Sequence, residues 1–224
     1  GKLLFYDESG AADVVGIDIR LQSVNSAMQL HMKRAHNVIK VLNSDSAYMP
    51  FPSNYFDVII SINVLEHVDN IRATMLECKR VLRPDGIIFL HFPPFYSPWG
   101  AHLEGWINFP WPHVLFRDSQ LLEAAQWFED KKKNNKEYIF SANVDWLKHS
   151  QLPELNRTTI DQFEKLLRDV ELKILHTDLL PFGRHYLQKF GLIGKIIFRL
   201  LKILTILPGL REIVTTKMVF IITK

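Results

Sequence analysis

The chain has 224 residues, of which 47% are hydrophobic, and this composition is sufficient for the core of one globular domain. Its formal net charge of +3 is too small to indicate nucleic-acid binding, and we predict no nucleic-acid partner. The single cysteine, Cys78, excludes an internal disulfide and a cysteine-rich zinc cluster, which fits a reducing cytoplasm. No group of residues has metal-ligand spacing, and we predict no metal site.

The first sixty residues predict alternating strands and helices. Residues 2–9 can form the end of a helix, which Gly10 stops, and residues 13–18 read as a short buried strand. Residues 37–42 and 57–62 are rich in Val and Ile and are the next predicted strands. Between the first two strands, apolar residues recur at helical intervals: Leu21, Val24, Met28 and Ala35. This order is typical of an open α/β sheet.

A second amphipathic helix and a further strand follow. Asp69 is the predicted N-cap of the helix, and residues 83–86 (RPDG) are predicted to end it. Residues 87–92 are the next predicted strand and complete the first part of the domain, residues 1–92. The apolar row of the helix consists of Ile71, Met75, Cys78 and Leu82.

The alternation of predicted strands and helices ends after Phe92. Eight aromatic residues and five prolines lie between Phe92 and Phe116, which predicts a packed lid within an insertion over residues 93–150. Residues 118–129 favour a helix, and residues 129–137 favour an exposed turn. The lysines of that turn are Lys131, Lys132, Lys133 and Lys136.

The last part of the chain, residues 151–224, returns to regular elements. Thr159 and Gln162 have capping-box spacing and predict the start of a helix. Residues 172–178 and 215–223 are predicted strands, and no second domain is indicated. The buried stripe of the helix is predicted to be Ile160, Phe163, Leu167 and Val170.

Polar residues follow three of the predicted strands. Asp18 ends the first strand, and a carboxylate there can accept both ribose hydroxyls of a nucleoside, although nicotinamide enzymes use the same device. Asp45 suits either the exocyclic amino group of adenine or the start of a turn. Asn63 follows the strand at 57–62.

The stretch from Ser44 to Val68 carries a longer pattern. An Asp followed by small residues leads to Met-Pro-Phe-Pro at 49–52, then to Phe-Asp-Val at 56–58 and Leu-Glu-His-Val at 65–68. In this order the stretch resembles the class I S-adenosylmethionine (SAM) dependent methyltransferases, particularly the type 11 group. The resemblance implies a Rossmann-like sandwich: a mostly parallel sheet with helices on both faces and, here, an aromatic lid insertion.

The resemblance also implies the cofactor and its contacts. The cofactor is SAM, and Gly1 aligns with the last glycine of the family's glycine-rich turn. The chain is then N-terminally truncated, and we expect this fragment to bind SAM poorly. The residues that match the family's cofactor-binding positions are Gly1, Asp18, Ile19, Asp45, Ser46, Ala47 and Asn63.

Methyl transfer from a sulfonium needs alignment and exclusion of water, and it needs a base only when the acceptor must lose a proton. The histidines that suit such a base are His91, His102 and His113. Each of them also suits a structural role. Tyr96, Trp99 and Trp106 fit either the wall of an apolar acceptor pocket or lid packing.

A basic apolar segment follows residue 178. Lys195, Arg199 and Lys202 share one face of a predicted helix over 192–207, which suits either peripheral contact with a membrane or packing on the sheet. We therefore predict a cytoplasmic methyltransferase, or one at the inner face of the membrane, that acts on a small-molecule or lipid-linked acceptor. The alternatives are a non-catalytic methyltransferase-like binding module and a nicotinamide-dependent oxidoreductase.

Overall fold

The computed structural model describes residues 2–34, 39–133, 155–183 and 187–224. The first group of elements is α1 (Lys2–Glu8), β1 (Val14–Asp18), α2 (Leu21–Arg34), β2 (Ile39–Asn43), β3 (Phe56–Ile62), a 3₁₀ turn (Leu65–His67), α3 (Ile71–Val81) and β4 (Leu82–Phe92). The second group is α4 (Pro112–Leu115), α5 (Asp118–Lys133), α6 (Ile160–Asp169), β5 (Lys173–Pro181), a 3₁₀ turn (Gln188–Phe190), α7 (Gly191–Leu204), α8 (Leu210–Val214) and β6 (Thr215–Thr223).

The strands form two sheets. Strands β1 and β2 are a parallel pair in which Val14 lies opposite Ile39. The other sheet has the order β3-β4-β6-β5, with β3 and β4 parallel and β6 antiparallel to both of its neighbours. Because β3 and β4 are parallel, their carboxyl ends lie at one edge of the sheet, and Ile62 there faces His91.

The larger sheet carries the main core. Its apolar side is covered by α3 and α6, which bury Met75 and Cys78 from one helix and Phe163 and Leu167 from the other. Helix α6 begins with the predicted capping box, since the Thr159 side chain accepts from the Gln162 amide and the Gln162 side chain accepts in return from the Thr159 amide. The aromatic ring of Phe163 meets Phe92 and Phe220 edge to face, at 5.0 and 5.1 Å between ring centroids.

The smaller sheet is packed more thinly. Helix α1 lies against it, with the Leu3 side chain so close to Gly16 that a Cβ at that position would come within 2.7 Å of Leu3 Cδ1. Only glycine permits this approach without a shift of Leu3. Among the described residues, β1 and β3 share no ladder hydrogen bonds, so each sheet has a separate edge.

Most predicted elements are present with shifted ends. The N-cap of α3 is Asn70, whose Oδ1 accepts from the Ala73 amide, and the prediction of Asp69 was wrong by one residue. Residues 83–86 do not form a separate stop, since α3 ends at Val81 and β4 already begins at Leu82. The exposed turn predicted from residue 129 was also wrong up to Lys133, because α5 continues through this residue.

The predicted buried stripe of α2 is incomplete. Val24 is buried, but Leu21 and Met28 are exposed, because only a narrow face of α2 packs on the small sheet. Three residues named in the sequence predictions, Gly1, Ala35 and Lys136, lie outside the described residues.

Candidate functional site at the strand ends

Asp18 lies at the carboxyl end of β1, as predicted. Its Oδ1 accepts from the backbone amide of Arg20 at 2.8 Å, and its side chain is about one third exposed. The Asn43 side-chain amide donates to the carbonyl oxygens of Asp18 and Ile19, at 3.0 and 2.8 Å, and so fixes this corner to the end of β2. Ile19 is 68% exposed and offers an apolar surface next to the carboxylate.

Asp45 starts a turn after β2. Its Oδ1 accepts from the Ala47 amide at 2.8 Å, and its carbonyl oxygen accepts from the Tyr48 amide at 3.1 Å. The Ser46 hydroxyl lies 3.0 Å from the hydroxyl of Thr74 on α3. The turn-forming role that the sequence left open is therefore present, and adenine recognition by Asp45, Ser46 and Ala47 stays a prediction.

Asn63 connects the ends of β3, β4 and β6. It adopts a left-handed backbone conformation, with φ of 54°, and its amide donates to the carbonyl oxygen of His91 at 2.8 Å. Its side-chain Oδ1 accepts from Lys217 Nζ at 2.9 Å. Asn63 thus links a predicted cofactor position to Lys217, a half-buried lysine that the sequence predictions did not include.

Glu66 lies in the 3₁₀ turn that follows Asn63, and only 5% of the residue is exposed. Neither carboxylate oxygen has a hydrogen-bond partner within the described part of the chain. Asn156 holds the turn in place, because its side chain donates to the carbonyl oxygens of Leu65 and Val68 and its amide donates to that of Glu66. Burial raises the pKa of the Glu66 carboxyl above its ordinary value, while the charges of His67 and Lys217 oppose this shift.

His102 reaches the same place from the lid. Its Nε2 lies 3.8 Å from Glu66 Oε1, and its ring meets that of His67 at 5.1 Å between centroids. Burial lowers the pKa of His102 to about 4, with smaller contributions from the charges of His67 and Lys217. The imidazole is therefore uncharged at neutral pH, and its contact with Glu66 is not an ion pair.

The other two candidate bases lie apart from this group. His113 on α4 has its Nε2 2.7 Å from the carbonyl oxygen of Phe95, so this nitrogen carries the proton. Burial lowers the pKa of His113, and burial followed by the charge of Lys217 lowers that of His91, which lies at the end of β4. Lys217 influences both His91 and His102, and its own pKa is lowered by burial against the opposing charges of Glu66 and Glu104.

The predicted lid packs against itself and against α5. Ala101, Leu103 and Leu121 form a small buried cluster, and Trp106 Nε1 donates to Glu129 on α5 at 2.9 Å. Trp106 therefore has the packing role, whereas Tyr96 is 42% exposed. A small cleft lies beside Glu66, lined also by Pro93, Phe95, Gly100, Asn156 and Thr158.

Helix α7 has an unexpected exposed face. Its Lys202 donates to the carbonyl oxygen of Leu179 at 2.8 Å and also bonds Asp178, so this lysine attaches the helix to β5. Exposed apolar side chains cover much of the remaining surface of α7 and of the turn that follows it: Leu192, Ile193, Ile196, Leu200, Ile203 and Ile206. No described helix combines the length and apolar character of a bilayer-spanning segment.

Comparison with known proteins shows which proteins this chain is similar to. Residues 1–90 match the type 11 family model described as a methyltransferase domain. The chain is 35% identical over 95 residues to a demethylmenaquinone methyltransferase of Tropheryma whipplei, a match that covers 40% of this chain and 38% of the relative. It is 28% identical over 83 residues to a probable S-adenosylmethionine-dependent methyltransferase of Mycolicibacterium smegmatis, covering 37% of this chain and 30% of that protein.

The solved structures agree on the fold. An S-adenosylmethionine-dependent methyltransferase from Mesorhizobium loti superposes with a TM-score of 0.59 at 14% identity, covering 98% of this chain and 84% of that one. Residues 1–90 are thus similar to the type 11 methyltransferase domain, and the chain shares the fold of that solved methyltransferase structure. This methyltransferase-like chain spans less than two fifths of the length of the two curated relatives named above.

The methyltransferase-like domain brings together some predicted site residues and separates others. Asp18 and Ile19 lie at the end of β1, Asn63 at the end of β3, and His91 at the end of β4. The sequence contains Glu66 and His67 only as part of the Leu-Glu-His-Val pattern, and the sequence predictions give no role to Lys217. An adjacent acid and histidine directly after a strand was the signal available in the sequence, but their proximity to His102 depends on how the lid folds.

Proposed function

We propose that the chain forms part of a SAM-dependent methyltransferase that acts on a small-molecule or lipid-linked acceptor. The observation that carries the proposal is the family match over residues 1–90, whose strand ends hold an accessible carboxylate at Asp18 and an exposed apolar side chain at Ile19. This pair fits a ribose with its adjoining base, since a carboxylate accepts from hydroxyl groups and an apolar surface packs on a purine ring.

In the proposed reaction the bound SAM supplies an activated methyl group. The chain's own residues orient the nucleoside through Asp18 and Asp45, exclude water with the lid, and hold the acceptor near the ends of β3 and β4. An acceptor hydroxyl would pass its proton to His91, which is uncharged at neutral pH because burial lowers its pKa. A lowered pKa makes His91 a weak base, so an acceptor that needs little help with deprotonation fits best.

A binding titration tests the cofactor assignment. We expect Asp18→Ala to weaken SAM affinity about tenfold to a hundredfold, because it removes a charge-assisted hydrogen bond worth about 1.5 to 3 kcal/mol. Asp13→Ala is the matched control, since Asp13 lies just before the same strand and makes only an exposed pair with Lys40 at 3.6 Å. Calorimetry with SAM on all three proteins, at protein and ligand concentrations high enough to measure weak binding, gives the answer, and equal affinities would remove Asp18 from the site.

Turnover and binding assays on the same protein distinguish the two alternative functions. A non-catalytic binding module would bind SAM or a protein partner, but it would not convert SAM to S-adenosylhomocysteine in the presence of any acceptor from a quinone, sterol or isoprenoid panel. A nicotinamide-dependent oxidoreductase would bind NAD instead of SAM. The match over residues 1–90 favours methyl transfer over both.

We also propose that α7 and the residues up to 207 contact a membrane surface that presents a lipid-linked acceptor. Leu192, Ile193 and Ile206 are 74%, 67% and 75% exposed, an unusual exposure for large apolar side chains that lie close together in sequence. Lys195 and Arg199 are exposed on the same helix and would approach anionic headgroups. Lys202 is excluded from this role because it bonds Asp178 and Leu179.

Flotation with liposomes tests the membrane contact. Each basic residue near an anionic surface contributes about 1 kcal/mol, so Lys195→Glu/Arg199→Glu should reduce binding to vesicles rich in phosphatidylserine more than tenfold. The control is Lys165→Glu/Arg168→Glu, a pair of exposed basic residues on α6. Replacing Ile193 and Ile206 with Ser should weaken binding to neutral vesicles as well. Undiminished flotation of both variants would end the proposal.

A further inference from the structure

Three side chains that can bind a metal ion meet beside the end of β3. Glu66 and His67 come from the 3₁₀ turn, and His102 comes from the lid. One ligand atom from each lies within 4.8 Å of the others, and Glu66 Oε1 is 3.8 Å from His102 Nε2. From this geometry we infer that Glu66, His67 and His102 bind one divalent transition-metal ion of the zinc class.

The burial of the Glu66 carboxylate is the first observation that supports a metal site. Its side chain is 6% exposed, and among the residues that the structure describes neither carboxylate oxygen accepts a hydrogen bond. A buried carboxylate without a partner is strongly unfavourable unless a cation compensates its charge. The nearby Lys217 directs its ammonium group to Asn63 Oδ1 at 2.9 Å, and it makes no described ion pair with Glu66. A metal ion would supply the compensation that the carboxylate otherwise lacks.

The ligand set is the second reason. One carboxylate and two imidazoles leave positions open on the ion, as in catalytic zinc sites and other sites with two histidines and one carboxylate. Imidazole ligands favour zinc, cobalt, nickel or iron over magnesium and calcium, which prefer oxygen.

The geometry requires only small adjustments. Ligand atoms at about 2.0 to 2.2 Å from one ion are at most about 4.4 Å apart, so a contraction of the present separations by a few tenths of an ångström to about 1 Å is enough. Asn156 already fixes the turn that carries Glu66 and His67. Glu66 is buried, His102 is half-buried and His67 is exposed, so an ion can enter from the side of His67.

The positive charge of Lys217 should affect how tightly the cluster binds a metal ion. Its charge acts on both Glu66 and His102 and would repel a cation bound between them. Lys217→Met should therefore tighten metal binding. If the lysine were instead the sole compensation for Glu66, its removal would destabilise the fold and create no metal affinity.

The experiment uses the 224-residue chain after treatment with a chelator, and it needs no methyl acceptor and no SAM. Co²⁺ alone is titrated and followed by its visible absorption, and Zn²⁺ alone is titrated by calorimetry. We expect one ion per chain, at least tenfold weaker binding in Glu66→Gln, His67→Gln and His102→Gln, and tighter binding in Lys217→Met. His176→Gln is the control, because His176 is exposed on β5 and lies outside the cluster.

Thermal melting with and without Zn²⁺ keeps the test decisive if one variant is unstable. The parent and His176→Gln should melt higher with Zn²⁺, whereas the three cluster variants should not. His67 is exposed, so His67→Gln should fold even if Glu66→Gln does not. The inference is overturned if Co²⁺ binding does not saturate at one equivalent, or if the folded cluster variants bind as the parent does. Because no step depends on methyl transfer, a failure of the proposed activity would leave this result unchanged.

Discussion

The two sheets differ in how they bury their strands. In the four-stranded sheet, Met218, Phe220 and Ile222 of β6 are fully inaccessible, and they contact helices and neighbouring strands. In the two-stranded sheet only Val14 of β1 is buried, and the other residues of β1 and β2 are partly buried or exposed. The stability of the protein therefore resides mainly in the four-stranded half, while Asp18 and Ile19 belong to the weaker half.

This difference has a functional consequence. Residues that would hold the nucleoside lie on the sheet with fewer buried contacts, so ligand binding there would couple to local order. The cluster of Glu66, His67 and His102 lies at the end of the firmly packed sheet. Asn156 holds the turn that carries Glu66 and His67 through a hydrogen bond to the Val68 carbonyl oxygen. The protein thus combines predicted nucleoside-binding residues on the weakly packed sheet with a side-chain cluster on the firmly packed sheet. Substitutions can perturb the two separately.

The largest expected effect is the loss of a core ring. Phe163→Ala should lower the free energy of unfolding by about 3 to 5 kcal/mol, because the ring is inaccessible and meets both Phe92 and Phe220. Leu4→Ala on α1 removes a side chain that is also buried, but in the small sheet's layer, and should cost less than about 2 kcal/mol. Urea unfolding of both variants measures the two values. Equal losses would mean that the two halves form one equally packed core.

A smaller effect is expected from hydrogen bonds at helix ends. Thr159→Ala removes the cap of α6 and should cost about 1 kcal/mol, because the Gln162 amide loses its acceptor. Ser9→Ala at the end of α1 removes an exposed hydroxyl that donates to the Phe5 carbonyl oxygen at 2.7 Å, and it should cost less than about 0.5 kcal/mol. The same urea measurements apply. If Ser9→Ala costs as much as Thr159→Ala, α1 contributes more than its packing indicates.

Local sequence signals predicted the elements of the packed half best. The run of β-branched and apolar residues at 215–223 matches β6 at both ends, and the Thr159 capping box starts α6 as predicted. The predicted stripe of α2 is only partly buried, since Leu21 and Met28 repeat at the right interval but no part of the chain that the structure describes covers them. Periodicity indicates which face could be buried, and only tertiary packing decides whether it is.

In the candidate site, too, local sequence predicted some features, whereas others depend on tertiary packing. The sequence pattern predicted that Asp18 and Asn63 would follow strands, because an acid or amide directly after a strand is a local feature. The contact of His102 with Glu66 was not predictable, since it depends on a lid without regular periodicity. Asp45 illustrates a third case, in which the residue occupies the expected position while its Oδ1 accepts from the Ala47 amide.

The smallest expected effect concerns pH and the lid that packs on the rigid half. Burial lowers the pKa of His113, so the folded protein favours the neutral ring, while the unfolded chain keeps a pKa near 6.5. The favourable contribution is present above about pH 6.5 and is lost as the pH falls through the lower pKa of the folded state.

We therefore expect the parent to lose stability between pH 7 and pH 5 more steeply than His113→Phe, in which no ring titrates. Urea unfolding at pH 7, 6 and 5 gives the two slopes, and the comparison of slopes cancels the constant cost of losing the 2.7 Å contact with the Phe95 carbonyl oxygen. His176→Phe, at an exposed position on β5, is the control and should follow the parent. Identical slopes for parent and His113→Phe would show that the His113 ring titrates alike in the folded and unfolded chain, and that the lid does not isolate it from water.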